Sequence, residues 1–219
     1  NWAHFNTGEY VSYFRTRIKM CGMTRADDIQ SAIALGVDAI GFIFYDKSPR
    51  HVTVERATQL LQEIPVFVTP IAVLVNPDPL WLTQTLSHLP IQVLQFHGDE
   101  SPEFCEQFGL PFIKAIPALS AEVMIDASKA YSKASAILVD TPSKTKRGGT
   151  GVSFDWRMIP RNLDKPLILS GGLNPANIQA SIQMISPYAV DVCSGIEVSE
   201  GIKDHDKMTQ FVKAIEGLK

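Results

Sequence analysis

The stretch RIKMCGMTRADDIQSAIALGVDAIGFIFY, residues 17–45, decides the fold. It opens on a short run at 17–20, where Ile18 and Met20 are interrupted by Arg17 and Lys19, and closes on a near-continuous apolar run at 39–44. That is the pattern of parallel strands covered on both faces. Between them, after an acidic start at Asp27, Ile29, Ala32 and Ile33 recur three and four residues apart, the spacing of one apolar helix face. The stretch therefore reads as a βα unit followed by the strand of the next.

The same alternation repeats along the chain, with further strands expected at 71–75, 93–96, 112–116, 136–139, 167–169 and 189–193. Ala57, Leu60, Leu61 and Ile64 carry helical spacing, and later helices are expected to begin at Pro79, Pro102, Pro175 and Asp204. Residues 155–159 are short for a helix. Eight βα units in about 200 residues predict one α/β domain, a single (β/α)8 TIM barrel over residues 17–219. A doubly wound open sheet is the alternative, because periodicity does not report closure. Residues 1–16 are polar but include Trp2, Phe5, Tyr10, Tyr13 and Phe14, and read as an amino-terminal arm or an appended segment.

Composition narrows the partners. The 219 residues are 45% hydrophobic and 20% charged, with 20 Lys+Arg against 23 Asp+Glu and a net charge of −3. Such a chain buries roughly 70% of its unfolded surface and is no candidate for disorder. It offers no positive field for a phosphate backbone or an anionic bilayer, so neither nucleic acid nor membrane is expected as a partner. No apolar run approaches the length of a membrane span, and residues 1–16 lack the continuous apolar stretch of a secretory signal. Cys21, Cys105 and Cys193 lie far apart, without CxxC or metal-ligand spacing, so neither a disulfide framework nor a metal site is expected. A reduced, cytoplasmic protein follows.

In a barrel the chemistry sits at the carboxyl ends of the strands. The residues there are Cys21, Tyr45 to Arg50, Asn76, His97, Pro117, Asp140, Ser170-Gly171-Gly172 and Ser194-Gly195. Each has a plain structural use: a small buried thiol, a turn carboxylate, a turn glycine. Two glycine turns after the seventh and eighth strands are more telling, since backbone approaches a phosphate closely only where no Cβ intervenes. Phosphate sites in this fold favour those two loops, so a phosphorylated small molecule is expected there. The run Lys146-Arg147-Gly148-Gly149-Thr150-Gly151 lacks the Lys-Ser/Thr pair of a Walker loop. Asp140 leaves a dry strand, a setting in which a carboxyl group can keep its proton. Cys21 is a candidate thiolate base if nearby N–H dipoles or a cation lower its pKa from about 8.5.

These motifs resemble one family, phosphoribosylanthranilate isomerase of tryptophan biosynthesis. The likeness runs from Ile18 to about Met208. It is carried by Lys19-Met20-Cys21-Gly22-Met23-Thr24-Arg25, Gly41-Phe42-Ile43-Phe44 with Ser48-Pro49-Arg50, Gln95-Phe96-His97-Gly98 and Leu138-Val139-Asp140. It continues through Gly148-Gly149-Thr150-Gly151 before Phe154-Asp155-Trp156, then Leu169-Ser170-Gly171-Gly172-Leu173, Asp191-Val192-Cys193-Ser194-Gly195-Ile196-Glu197 and Gly201-Ile202-Lys203-Asp204.

The resemblance implies a cofactor-free Amadori rearrangement of N-(5-phosphoribosyl)anthranilate to 1-(2-carboxyphenylamino)-1-deoxyribulose 5-phosphate. It implies Asp140 as the general acid that opens the furanose ring and Cys21 as the general base at C2. Arg50 matches the position that meets the anthranilate, and Gly171, Gly172, Ser194 and Gly195 match the phosphate turns. Asp191 falls near the ribose or is a buried structural carboxylate; His97 lines the mouth or is a satisfied structural histidine. Cys193 departs from the family pattern, which often has a small hydroxyl residue there. The basic loop 143–147 either helps close over the phosphate or is simply solvated.

Two other readings remain to be distinguished. A sister isomerase of histidine biosynthesis, acting on a phosphoribosyl imidazole carboxamide, resembles this pattern but has a carboxylate where this chain has Cys21. A non-catalytic phosphate-ligand binding barrel would tolerate loss of Cys21 or Asp140. For assembly, monomer and homodimer both stay open.

Overall fold

A computed structural model describes residues 15–141 and 155–217. Eight parallel strands close into a barrel in chain order: β1 (Arg17–Cys21), β2 (Ala39–Ile43), β3 (Thr69–Leu74), β4 (Val93–Phe96), β5 (Phe112–Pro117), β6 (Ala136–Asp140), β7 (Leu167–Leu169) and β8 (Ala189–Val192). Closure is explicit, because β8 pairs with β1 in the register Arg17↔Ala189 through Met20↔Val192. The open-sheet alternative is thereby removed. The arm falls outside the described residues apart from Arg15 and Thr16, and so does the loop 143–147 with the glycine run that follows it.

The helices are α1 (Ala26–Ala34), α2 (Val54–Leu61), α3 (Pro79–His88), α4 (Pro102–Glu106), α5 (Ala121–Ala130), α6 (Ile178–Ile185) and α7 (His205–Glu216). Most starts carry a side-chain cap. Thr53, Asp78, Ser101, Ser120 and Asp204 each accept a backbone N–H from the first turn, a contribution of about 1 kcal/mol apiece. Pro79 and Pro102 occupy first helical positions, where no N–H is needed. The helix expected at Pro175 begins instead at Ile178, because the Asn174 and Asn177 side chains hold residues 174–177 in a turn. The short stretch 155–159 forms a single 3₁₀ turn, Trp156–Met158. After β8 comes an element the periodicity does not announce, a small hairpin of β9 (Glu197–Ser199) and β10 (Ile202–Lys203).

Strand alternation divides the core in two. Ile18, Met20, Ile40, Phe42, Leu94, Phe96, Ile137, Val139, Val190 and Val192 face the helix layer. Ile71, Ile113, Ala115, Ala136, Leu138, Ile168 and Ala189 fill the barrel interior. Side chains two residues apart share a face, so the interior rows of β1, β4, β6 and β8 continue upward to Cys21, His97, Asp140 and Cys193. The fold thus aims those four polar groups into one mouth.

Candidate active site

Asp140 closes β6, 7% exposed, and its Oδ1 accepts the backbone N–H of Thr141 at 2.8 Å. Its Oδ2 lies 3.2 Å from His97 Nε2, while Nδ1 of the same ring meets Gln95 Nε2 at 3.1 Å. His97 therefore sits between a buried amide of β4 and the carboxyl of β6. The loop that carries it is anchored from outside the barrel. Lys114 of β5 donates to the Gly98 carbonyl and to Glu100, both at 2.7 Å, and Glu100 also accepts the N–H of Asn76 and of Gly98.

Opposite, Cys21 ends β1. Its Sγ lies over Gly41 so closely that a Cβ there would stand 2.7 Å from the sulfur, which is why β2 carries glycine at this point. One layer below, Lys19 and Asp191 form an ion pair at 2.8 Å, each about 5% exposed or less. Burial alone would pull the Lys19 ammonium down, but Asp191 and Cys21 more than offset it and hold it charged. A cation therefore stands beside Cys21, as a thiolate base would require. The thiol nevertheless stays well above its ordinary range, because it is hydrogen-bonded to Cys193 and buried, and these outweigh Lys19.

Cys193 behaves in the opposite way: its thiol is brought down to about 7 by the hydrogen bond with Cys21, against burial and with help from Lys203 and Arg50. Lys203 Nζ lies 3.1 Å from the Cys193 carbonyl and 3.9 Å from its Sγ.

Arg50, reached through the loop after β2, is no solvated loop charge. It is 6% exposed, with Nε 2.9 Å from Glu197 Oε1 and Nη2 2.7 Å from Oε2. Lys203 donates to the same Glu197 Oε1 at 2.9 Å. Burial opposes ionisation of Glu197, yet Arg50 and Lys203 hold it below its usual value. Glu197 and Lys203 stand in the sequence motifs without an assigned role. Their signal there was weak, since a charge in a polar hairpin looks solvated until the hairpin folds over β8.

The two glycine turns meet. Gly171 and Gly172 have φ of +85° and +65°, the left-handed region, and a Cβ on Gly171 would stand 2.7 Å from Thr141 N and 3.0 Å from Asp140 Oδ1. Asn174 and Asn177 both donate to the Gly172 carbonyl, and Gly195 packs against the Leu173 carbonyl. Ser194 opens a 3₁₀ turn, Ser194–Ile196, beside them. Asp140 and the phosphate-type turns are thus one contiguous piece of structure. Among the described residues no three His, Cys, Asp or Glu side chains gather as a metal-binding group, and no helix is long and apolar enough to cross a membrane.

A sequence profile described as N-(5'phosphoribosyl)anthranilate (PRA) isomerase matches residues 18–214. The chain belongs to this family. It is 59% identical over 203 residues to N-(5'-phosphoribosyl)anthranilate isomerase of Legionella pneumophila strain Corby, covering 93% of this chain and 98% of that protein. The Pseudomonas fluorescens SBW25 member is 47% identical, over 91% of this chain and 95% of its own length. Among solved structures, the Thermotoga maritima family member superposes with a TM-score of 0.85 at 36% identity, covering 92% and 99% of the two chains. A further family structure, in complex with reduced 1-(o-carboxyphenylamino)-1-deoxyribulose 5-phosphate, gives 0.82 at 36% identity with the same coverage.

Proposed function

We propose that the chain catalyses the Amadori rearrangement of N-(5-phosphoribosyl)anthranilate in tryptophan biosynthesis, by general acid–base chemistry that needs no cofactor. The observation that carries the reading is the shared inward face of β1 and β6. It brings Cys21 and Asp140 to one mouth, with the glycine turns of residues 171–172 and 194–195 beside Asp140. In this reading Asp140 protonates the furanose ring oxygen, and the C1–O bond breaks to leave a Schiff base with the anthranilate nitrogen. The Cys21 sulfur then removes the C2 proton, and the enolamine tautomerises to the ketone.

His97 orients the Asp140 carboxyl through its Nε2. Glu197 occupies the Nε and Nη2 edge of Arg50, which leaves the opposite edge to meet the anthranilate carboxylate, a geometry suited to a guanidinium. The backbone N–H groups near Gly171, Gly172, Ser194 and Gly195 receive the phosphate. Asp191 lies one layer below the mouth on the ribose side, held in place by its ion pair with Lys19. The catalytic unit is the barrel of residues 17–219, with residues 1–16 as an arm, working in the cytoplasm. It works as a monomer or as a homodimer; one Thermotoga maritima structure at 34% identity is described as monomers generated from a dimeric isomerase.

The test is the decay of anthranilate-type fluorescence when the protein is added, without metal or cofactor, to phosphoribosylanthranilate generated in situ. Decay well above the spontaneous rate is expected. Asp140→Asn and Cys21→Ser are each expected to slow turnover by at least ~10², with binding of a phosphorylated product analogue retained. A folded protein that binds the analogue yet leaves the fluorescence unchanged refutes the reading in favour of a binding barrel. Turnover of a phosphoribosyl imidazole carboxamide instead would move it to the sister reaction.

A further inference from the structure

Removal of the C2 proton poses a chemical difficulty. A base that must take a carbon-bound proton near neutral pH is assigned to Cys21, whose thiol is the more reluctant of two neighbouring thiols to ionise. The geometry supplies the missing acceptor. β1 and β8 run side by side with Lys19 beside Asp191 and Met20 beside Val192, so the next step in register sets Cys21 beside Cys193. Both project inward, one layer above the Lys19–Asp191 pair, so the two thiols stand on the same face of adjacent strands.

The surrounding charges are unequally shared. Below Cys21, Lys19 is matched by Asp191 at 2.8 Å. Around Cys193 stand two cations, Lys203 from β10 and Arg50 from the loop after β2, with Glu197 from β9 as their common, hydrogen-bonded counter-charge and Glu200 of the same hairpin acting on Arg50 from further off. Negative charge on the pair is therefore better accommodated on Cys193 while the site is empty.

We propose that Cys193 is the proton acceptor for Cys21, so that the base of the isomerisation is a pair of sulfurs holding one proton between them. The inference rests on the isomerase reading and names a positioning residue that acts through Cys21. As substrate presents C2–H, the proton on Cys21 passes along the S–H···S hydrogen bond to Cys193. The anionic Cys21 sulfur then forms a bond to the C2 proton. The C–H electron pair becomes the C1=C2 bond of the enolamine, and the C=N electron pair moves onto nitrogen. The pair begins with one proton and ends with two, so charge and protons balance without any redox step. A tightly coupled pair titrates as a unit, and its first proton leaves more readily than that of a lone thiol.

The experiment uses the full chain with Cys193→Ala and Cys193→Ser, following the ultraviolet absorbance of thiolate in the free protein and the acid limb of kcat/KM. Wild-type protein is expected to show a thiolate forming near pH 7, with the acid limb of kcat/KM at the same pH. Both variants are expected to lose that thiolate and to shift the acid limb upward by about one unit, an activity loss of about tenfold at pH 7 that is regained near pH 9, with KM little changed. Serine keeps a hydrogen bond but holds its proton throughout this range, so it separates proton acceptance from hydrogen bonding and guards against a folding defect in the alanine variant. An unmoved acid limb in either variant, or full rescue by serine, overturns the role of Cys193 while leaving the isomerase reading intact. A wild-type protein inactive at every pH overturns the isomerase reading itself.

Discussion

Replacing Lys19 with Met tests how the barrel interior tolerates charge. The ammonium and the Asp191 carboxylate are 2.8 Å apart and each about 5% exposed or less. At an effective dielectric constant of about 20 their gross attraction is about 6 kcal/mol, and withdrawing two ions from water costs several kcal/mol each, so the intact pair contributes little net stability. Removing one partner is a different matter, because the other charge stays buried without compensation at a cost of about 3–5 kcal/mol. A second route gives the same size. The stranded carboxylate can escape by taking up a proton, which for an ordinary aspartate costs about 4 kcal/mol at pH 7.

Lys19→Met should therefore lower the unfolding free energy by about 3–5 kcal/mol, or Tm by roughly 6–20 °C for a chain of this size. Lys19→Met combined with Asp191→Val should recover most of it. Urea unfolding followed by fluorescence at pH 7 and again near pH 4 measures both. The deficit of the single variant should shrink at the lower pH, where protonation is cheap. A single-variant loss below about 1 kcal/mol, or a double variant as unstable as the two single losses combined, refutes the argument.

Gly171→Ala should cost about 1–2 kcal/mol from the left-handed backbone alone. It should also cut kcat more than it weakens analogue binding, since the new methyl group presses on Thr141 N and Asp140 Oδ1; steady-state kinetics with an unchanged kcat would contradict it. Glu197 gives a pH signature. Its folded-state value lies below the ordinary 4.5, so its contribution to stability is full above that pH and is lost as pH falls through the lower folded value. Glu197→Gln should accordingly be less stable than wild type at neutral pH, with the gap closing on acidification below about 4.5; a gap constant with pH in denaturant titrations would count against the Arg50–Glu197–Lys203 network.

The strands at 93–96 and 167–169 agree with the sequence reading to the residue, and the others differ by one or two positions at their ends. They were legible because a strand buried on both faces must be predominantly apolar, and that requirement is written into contiguous residues. The polar strand ends Cys21, His97 and Asp140 were legible for the same reason, as interruptions where a dry run stops. Closure was not, since it depends on Arg17–Met20 finding Ala189–Val192 across almost the whole chain. Nor was the start of α6, where asparagine side chains compete with the helix for the backbone of residues 174–177.

What the sequence by itself determined is the repeating βα unit, the caps that start most helices and the residue types available at the mouth. All of these follow from local periodicity and short-range hydrogen bonding. Only the tertiary structure decided which of those residues act on one another. Lys19 and Asp191 read as charges stranded in apolar strands until parallel pairing makes them partners. Arg50 reads as a loop cation until the hairpin after β8 brings Glu197 to it, and Cys193 reads as a minor departure until barrel closure sets it beside Cys21. The pH at which a thiol loses its proton depends on charges within a few ångströms in space, and a sequence orders its residues only along the chain.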